Sequence, residues 1–329
     1  MRSTVDSSVP TRPTRPAISC VMPAYNEAAN LPVLLPQLSA HLAGLTDRWE
    51  VVVVDDGSTD GTALAVAPFL TTPGVRYVRL SRNFGKEQAL TAGIDLARGE
   101  VVVLMDSDLQ HPVDLIDRMV QAWVGGADMV CAARASRADE TWAKRLGTWA
   151  FYRLVNTKHS VHIPVDAGDF RLMDRRVVDA LKSLPERNRF MKGLYAWVGF
   201  RTEIIDYTPA ERHAGTSSFS MRSLVRLALT GVTAFSNVPL RLWSALGALI
   251  AFGGMGFGLL VIAQHFIYGH DVPGWATLVC SLMFFSGVQL LSIGILGEYV
   301  GRIFDEVKRR PIYLVASEAG QGLVEADAR

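Results

Sequence analysis

Residues Val101–Pro112 read VVVLMDSDLQHP. A run of apolar residues ends at Met105 and is followed at once by Asp106 and Asp108. Continuous apolar runs of this length are typical of strands in parallel sheets that helices cover on both faces. In such sheets ligands bind beyond the carboxyl ends of the strands. The stretch therefore predicts an α/β fold with a polar site at the end of this strand.

The chain up to about residue 200 repeats this alternation of strand and helix. Apolar runs predict strands at 18–22, 50–54, 75–80, 101–105 and 129–132, and helical spacing predicts helices at 30–43, 62–70, 86–97 and 112–124. The alternation predicts a Rossmann-like, mainly parallel sheet. Neither a G-x-G-x-x-G motif nor a P-loop motif occurs, so the sequence supports neither an ordinary dinucleotide-binding enzyme nor a P-loop NTPase.

Charge and the N-terminus narrow the class further. The formal net charge of the 329 residues is +1, which gives no electrostatic reason to expect nucleic acid as a partner. Residues 1–16 are rich in Arg and Pro and have no apolar core, so we predict a disordered segment rather than a signal peptide.

Two segments near the C-terminus, 243–263 and 275–296, contain no charged residue. At about 1.5 Å per residue, each is long enough to cross about 30 Å of hydrocarbon. The alternative is a pair of buried helices in a soluble core, but soluble helices seldom stay uncharged on every face for that length. The link between the segments lacks Lys and Arg, whereas Arg241 precedes them and Arg302 and Lys308 follow. We expect the protein to lie in the plasma membrane. The positive-inside rule then predicts that both termini are cytoplasmic.

We predict that residues 219–241 form an amphipathic helix on the membrane surface, because Arg222 and Arg226 are four residues apart and so share one helix face. An ordinary domain helix is the alternative. The predicted organisation is a disordered segment (1–16), a cytoplasmic α/β domain (17–218), the juxtamembrane helix (219–241), a transmembrane hairpin (242–297) and a cytoplasmic tail (298–329).

Acidic residues follow more than one predicted strand, since Asp55 and Asp56 end another apolar run. Asp106 and Asp108 are two residues apart, and in extended backbone such side chains face the same way. Two carboxylates this close repel unless they share a cation or take up a proton. With the amide of Gln110 they form an oxygen-only set that suits Mg²⁺ or Mn²⁺. A turn, in which Asp is common, is the alternative.

Five motifs in order resemble one enzyme family: VMPAYNEAANL, VVVVDDGSTDGT, LSRNFGKEQALTAGIDLARGEVVVLMDSDLQHP, VDAGDFRLMDRRVV and RHAGTSSFS. They are similar to those of inverting glycosyltransferases of the GT-A fold that load a sugar onto polyprenyl phosphate. Dolichyl-phosphate mannose synthases and bactoprenol glucosyltransferases belong to this family, and the C-terminal hairpin resembles that of its bacterial members. The resemblance covers about residues 18–310.

The resemblance implies transfer of a sugar from a nucleotide sugar to undecaprenyl phosphate in the cell envelope, with Mg²⁺ or Mn²⁺ as cofactor. UDP-glucose is the preferred donor, with GDP-mannose or another UDP-sugar as the alternative. A non-catalytic membrane sensor of nucleotide sugars is a further alternative. The resemblance implies the lipid bilayer as a partner, and it is compatible with a homo-oligomer.

The resemblance also implies roles for individual residues. Contacts with the nucleotide sugar are implied for Pro23, Tyr25, Glu27, Asp55, Asp56, Asp106 and Arg134. Metal ligation is implied for Asp108 and Gln110, with Asp106 at the edge of the metal site. Asp169 is the expected catalytic carboxylate, and Asp166 is the alternative. Arg212 is expected to contact phosphate and is counted with the catalytic residues. One departure is that family members often carry a Lys at the position of Ser218.

Overall fold

The computed structural model describes residues 12–134, 167–187, 189–208, 238–268 and 274–323. The chain divides into two units. The first contains residues 1–221 together with 311–329, and the second contains residues 222–310.

Strands of the first unit form one mixed sheet in the order β7-β5-β6-β4-β1-β2-β3-β8. They are β1 (Ile18–Ala24), β2 (Trp49–Asp55), β3 (Val75–Leu80), β4 (Val101–Leu104), β5 (Met129–Arg134), β6 (Ala167–Asp174), β7 (Thr202–Tyr207) and β8 (Val315–Gly320). β1 pairs in parallel with β2 and β4, whereas β6 and β8 run antiparallel to their neighbours. The prediction of a mainly parallel Rossmann-like sheet is confirmed.

Helices cover both faces of this sheet. They are α1 (Leu31–Leu45), α2 (Thr62–Val66), α3 (Lys86–Leu96), α4 (Leu115–Val124), α5 (Arg175–Ser183) and α6 (Met191–Trp197), with a 3₁₀ turn at Ala67–Thr71. α1 and α4 join one fully buried hydrophobic cluster with β1, β2 and β4. α3 lies against the opposite face, where a Cβ on Gly93 would overlap the side chain of Val21. This close approach fixes where α3 begins relative to the strand ends.

The order of the strands locates a binding crevice. β2 and β3 lie on one side of β1 and β4 lies on the other, so the direction of winding reverses between β1 and β4. Ligands bind at such a reversal, outside the carboxyl ends of the strands. The hydroxyl of Ser107 crosses this point and donates to the carbonyl oxygen of Pro23 at 3.0 Å. The predicted polar residues therefore follow the two strands that flank the crevice.

The N-terminal segment is anchored where the structure describes it. The guanidinium of Arg12 lies 2.7 Å from a carboxylate oxygen of Asp128 and donates to the carbonyl oxygen of Ala127 at 2.5 Å. It also stacks over the ring of Trp123 at 5.0 Å. The described part of the predicted disordered segment, residues 12–16, thus includes an arginine that is bound to the α/β domain.

The second unit contains α7 (Val238–Tyr268) and α8 (Trp275–Lys308). Within them Trp243–Ile267 and Thr277–Lys308 are long and apolar enough to cross a membrane, and their most apolar windows are not buried in protein. The indole N–H of Trp243 donates to the hydroxyl of Ser292, so the start of α7 lies beside the second half of α8. This contact is that of an antiparallel pair, as in the predicted hairpin. Most of the predicted juxtamembrane helix, residues 219–237, falls outside the described residues.

The C-terminal region differs from a simple tail. α8 continues to Lys308, beyond the predicted end of the apolar segment at residue 296. β8 then pairs with β3 and extends the sheet of the first unit. Part of the predicted tail, residues 298–329, is therefore an integral strand of the α/β domain.

Candidate active site

The turn after β4 presents the acidic residues at the crevice. β4 ends at Leu104, so the strand alternation expected to align Asp106 with Asp108 does not continue through them. Leu109 has a φ of 61°, in the left-handed region, and the Asp108 carboxylate accepts the backbone N–H of Gln110 at 3.2 Å. This arrangement is a tight turn rather than extended chain. The hydrogen bond keeps Asp108 and Gln110 close together, and their role as metal ligands stays a prediction.

Lys86 joins two acidic residues that are far apart in sequence. Its ammonium lies 2.7 Å from Oδ1 of Asp106 and 2.8 Å from Oδ2 of Asp169. Asp106 follows β4, and Asp169 lies in β6, the antiparallel neighbour of β4. The structure therefore brings the predicted catalytic carboxylate next to the predicted nucleotide and metal edge.

Both carboxylates are held in the ionised form. Burial opposes ionisation of Asp106, but a hydrogen bond from His111 and the charge of Lys86 outweigh it and lower the pKa of Asp106 well below its usual range. Burial likewise opposes ionisation of Asp169, and the charges of Lys86 and Lys192 lower its pKa in spite of it. A carboxylate with a lowered pKa is a weak base, so Asp169 is better suited to orient a group than to remove a proton.

Lys86 contacts one carboxylate oxygen of Asp106, and His111 contacts the other. Its Nε2 lies 3.6 Å from Asp106, and its Nδ1 lies 3.1 Å from the hydroxyl of Tyr207. The ring is buried and lies against Phe170, with ring centroids 4.6 Å apart. Asp106 is therefore fixed on two sides.

The first turn of α3 carries Lys86 and is tied to the site by its neighbours. The Asp56 carboxylate accepts the backbone N–H of Phe84 at 2.7 Å and of Gly85 at 2.8 Å. On the other side of Lys86, the Glu87 carboxylate accepts the backbone N–H of Met191 at 2.9 Å. Burial and the nearby charge of Asp169 raise the pKa of Glu87 to about 7.

Asp55 and Asp56, for which contacts with the nucleotide sugar are implied, are engaged within the protein. Asp55 accepts the backbone N–H of Ser58 at 2.7 Å and the hydroxyl of Tyr77. Its side chain is buried, as is that of Asp56. Both residues shape the loops that follow β2 and β3, and any contact they make with a nucleotide would be additional to these bonds.

The loop after β1 contributes the remaining predicted contacts. Pro23 is buried, Tyr25 is exposed at the crevice end of the strand, and Glu27 is half-buried with its carboxylate accepting from the amide of Asn30 at 2.6 Å. Burial raises the pKa of Glu27, and the negative charges of Asp108 and Asp106 raise it further. The three carboxylates therefore repel one another across the crevice.

This repulsion provides a test of the expected metal. Carboxylate and amide oxygens at Asp108 and Gln110 are the donors that Mg²⁺ or Mn²⁺ prefers. A divalent cation bound there would relieve the repulsion felt by Glu27, so the residues present fit the group. Asp106 fits less well as a ligand, because Lys86 and His111 already engage it. Within the described ranges no group of three His, Cys, Asp or Glu side chains is arranged to hold a metal ion.

Some predicted site residues cannot be placed. Asp166, Arg212 and the segment Gly215–Ser218 lie outside the described residues. Arg134 ends β5, but its side chain is also outside the described part. These roles stay predictions.

Lys86 and His111 are the residues that sequence reasoning missed. A signal for Lys86 was present, because a cation in the first turn of a helix opposes the helix dipole and implies acidic partners nearby. His111 carries no comparable signal, since its contacts depend on Phe170 and Tyr207, which follow it by more than fifty residues.

Comparisons with known proteins find similarity to glycosyl transferases. Residues 19–182 match the family described as Glycosyl transferase family 2. An uncharacterized glycosyltransferase of Synechocystis sp., sll0501, is 43% identical over 300 residues, covering 91% of this chain and 94% of its own length. The SfII prophage-derived bactoprenol glucosyl transferase of Shigella flexneri is 43% identical over 303 residues, covering 91% and 97%.

A solved structure, the glucosyl-3-phosphoglycerate synthase of M. tuberculosis, is 22% identical with a TM-score of 0.46, covering 66% of this chain and 78% of that one. This likeness is too low to bear on substrate or metal.

Proposed function

Because the chain belongs to glycosyl transferase family 2, we propose that it moves glucose from UDP-glucose to a polyprenyl phosphate in the membrane, with inversion at the anomeric carbon. The observation that carries the proposal is the meeting of Asp106 and Asp169 on Lys86 at the crevice, beside Asp108. The similarity to a bactoprenol glucosyl transferase supports the sugar and the lipid acceptor, because it extends over 91% of the chain and so includes both apolar helices.

The proposed reaction exchanges one bond to the sugar for another. An oxygen of the lipid phosphate attacks the anomeric carbon as the bond from that carbon to the nucleoside diphosphate breaks. The bonding electron pair leaves with the diphosphate, and attack from the opposite face inverts the centre. The second pKa of a phosphate monoester is near 6, so the acceptor is largely ionised at pH 7. The step therefore needs no proton removal from the acceptor.

The described residues are suited to orientation and charge balance. The low pKa of Asp169 makes it a positioning group for the acceptor side, and Asp106, fixed between Lys86 and His111, defines the nucleotide side. We propose that Asp108 and Gln110 hold Mg²⁺ or Mn²⁺. When bound, the cation supplies positive charge that stabilises the leaving diphosphate. Arg212 is proposed as a phosphate contact from the part of the chain that is not described.

The membrane hairpin provides a reason for the lipid acceptor. The candidate spans Trp243–Ile267 and Thr277–Lys308 would keep the enzyme at the bilayer in which a polyprenyl chain is dissolved. We propose that both termini are cytoplasmic, on the side where nucleotide sugars are made, and that the protein lies in the plasma membrane.

Lipid extraction tests this function. Membranes that contain the protein are incubated with undecaprenyl phosphate and, in parallel, with labelled UDP-glucose, UDP-N-acetylglucosamine and GDP-mannose. Label from UDP-glucose should become extractable into organic solvent, and membranes that carry Asp169→Asn should extract much less. Label from a different donor would correct the sugar. Binding without any transfer would instead indicate a sensor and overturn the proposed enzyme.

A further inference from the structure

We propose that Lys86 is a positioning residue for the transfer, because it holds the carboxylate of Asp169 in place through a two-sided ion pair with Asp169 and Asp106. The inference rests on the proposed function and concerns how its site is kept in order.

The geometry makes Lys86 the link between the two sides of the site. Its ammonium is within 2.8 Å of one carboxylate oxygen on each partner. The His111 ring also contacts Asp106, at 3.6 Å, whereas the ion pair that Asp169 forms within the described ranges is with Lys86. The side chain of Asp169 is 19% exposed, so water screens this pair only in part. The charge of Lys192 also favours the ionised form of Asp169. Lys86 is the cation in direct contact with Asp169, so loss of its ammonium would act on Asp169 directly.

The backbone fixes the position from which Lys86 reaches its partners. Gly85 has a φ of 111°, which favours glycine, and a Cβ there would come within 2.8 Å of the Gln88 amide oxygen. The Asp56 carboxylate holds the backbone N–H of Gly85 at 2.8 Å. One residue past Lys86, Glu87 holds the first turn of α6 through Met191. Lys86 thus extends from a turn that is bound on both sides.

Two observations indicate that the ammonium is placed there for its acidic partners. A cation in the first turn of α3 meets the positive end of the helix dipole. Without the ammonium, the negative charges of Asp106 and Asp169 would face each other uncompensated, beside Glu87, whose pKa Asp169 already raises. Asp169 could then turn toward solvent or take up a proton. Either change would remove it from the place where the proposed acceptor binds.

The test compares Lys86→Met with matched variants in the lipid-extraction assay, with the donor that the wild type transfers. We expect kcat to fall on the order of a hundredfold, because a small displacement of a positioning group has effects of this size. The KM for the sugar nucleotide should change by less than about threefold, since uniform substrate binding is retained. Lys86→Arg, which keeps the charge, should restore part of the rate.

Lys182→Met is the control, because the Lys182 ammonium donates only to the carbonyl oxygen of Asp95 among the described contacts. It should leave kcat unchanged. Thermal unfolding of each variant shows whether it is folded, and Lys86→Gln replaces Lys86→Met if the latter lowers Tm.

A double-mutant cycle separates positioning from a general structural effect. If Lys86 acts through Asp169, Lys86→Met combined with Asp169→Glu should be scarcely slower than the slower of the two single variants. Losses that multiply would overturn the inference while leaving the proposed function intact. An unchanged kcat with a much higher KM for the sugar nucleotide would also overturn it, because Lys86 would then be a substrate ligand. A wild type that transfers no sugar would overturn the proposed function and this inference together.

Discussion

The guanidinium Nε of Arg76 lies 2.6 Å from Oε1 of Glu318, although 242 residues separate them. Arg76 is in β3 and Glu318 in β8, and the Arg76 side chain is only 6% exposed. A second bond from the same C-terminal region joins the backbone N–H of Leu323 to the buried carboxylate of Glu50 at 3.0 Å. The chain thus returns from α8 to complete the sheet of the α/β domain.

Gly320→Ala should loosen this return. Gly320 has a φ of 91°, and an added Cβ would overlap the carbonyl oxygen of Val75 in β3. Strain and overpacking of this kind cost about 1–3 kcal/mol, which corresponds to a fall in Tm of roughly 5 °C for a domain of this size. Thermal unfolding of the detergent-solubilised chain measures the effect.

Gly44→Ala is the matched control for Gly320→Ala. Gly44 lies in α1, and nothing is within 4 Å of the place its Cβ would occupy. It should keep or slightly raise Tm, because Ala favours helix. Equal Tm values for Gly320→Ala and the wild type would mean that β8 does not support the domain.

The local pattern of sequence explains why the central sheet could be predicted and its edges could not. β1, β2 and β4 are continuous apolar runs, and each was placed within about two residues of its observed bounds. β8 reads VASEAG, and its Ala, Glu and Gly residues are depleted in strands. Its place depends on pairing with β3 and on the Arg76–Glu318 bond, which are contacts between distant residues. β6 was similarly hidden, because its pairing with β4 and β5 is antiparallel.

The pKa of Glu87 gives a prediction for stability against pH. Burial and the charge of Asp169 raise it from an ordinary value of 4.5 to about 7. Between these pH values an unfolded chain has released the proton that the folded protein still holds, so stability falls as pH rises through this window and levels off above it. Glu87→Gln, which cannot ionise, should lack this contribution.

Thermal unfolding of both proteins from pH 4.5 to pH 8 tests the Glu87 prediction. The Tm of the wild type relative to Glu87→Gln should decrease across the window. Glu203→Gln, on the exposed part of β7, should instead follow the wild type. Parallel curves for the wild type and Glu87→Gln would show that Glu87 does not titrate near neutrality.

Asp108→Asn should remove most of the metal-dependent turnover while the protein stays folded. The loss of one electrostatic group at the leaving diphosphate typically costs on the order of a hundredfold in rate. Turnover is measured against Mg²⁺ and Mn²⁺ concentration, with Asp47→Asn, an exposed carboxylate of the same domain, as the control. Near-normal activity of Asp108→Asn, or full wild-type activity in chelator, would exclude the proposed metal role.

Reporter tags test the orientation of the hairpin. Tags before Met1 and after Arg329 should both be cytoplasmic, and a tag inserted at Gly269, between the two candidate spans, should be on the opposite side. The start of α7 and the end of α8 should then lie on the cytoplasmic side, and the link between them on the opposite side, which requires two crossings. A C-terminal tag outside the cell would require an odd number of crossings and would contradict the hairpin.

The sequence singles out the acidic candidates for the site but not Lys86, which joins two of them in the structure. Asp106, Asp108 and Asp169 stand in motifs that the sequence displays directly. Lys86 and His111 become part of the site only when α3, β4 and β6 assemble, because their partners lie in other elements. The engagement of Asp55 and Asp56 with Ser58 and Gly85 could likewise not be read from spacing, since their loops must first fold against each other.

The anomeric configuration of the lipid product tests the central claim most directly. Purified protein is incubated with UDP-glucose labelled with ¹³C at the anomeric carbon, undecaprenyl phosphate and Mg²⁺ or Mn²⁺, and the extracted lipid is examined by NMR. The account predicts a β-glucosyl phosphate lipid, formed with inversion from the α-linked donor. An α-linked lipid, or labelled free glucose without any glycolipid, would contradict it.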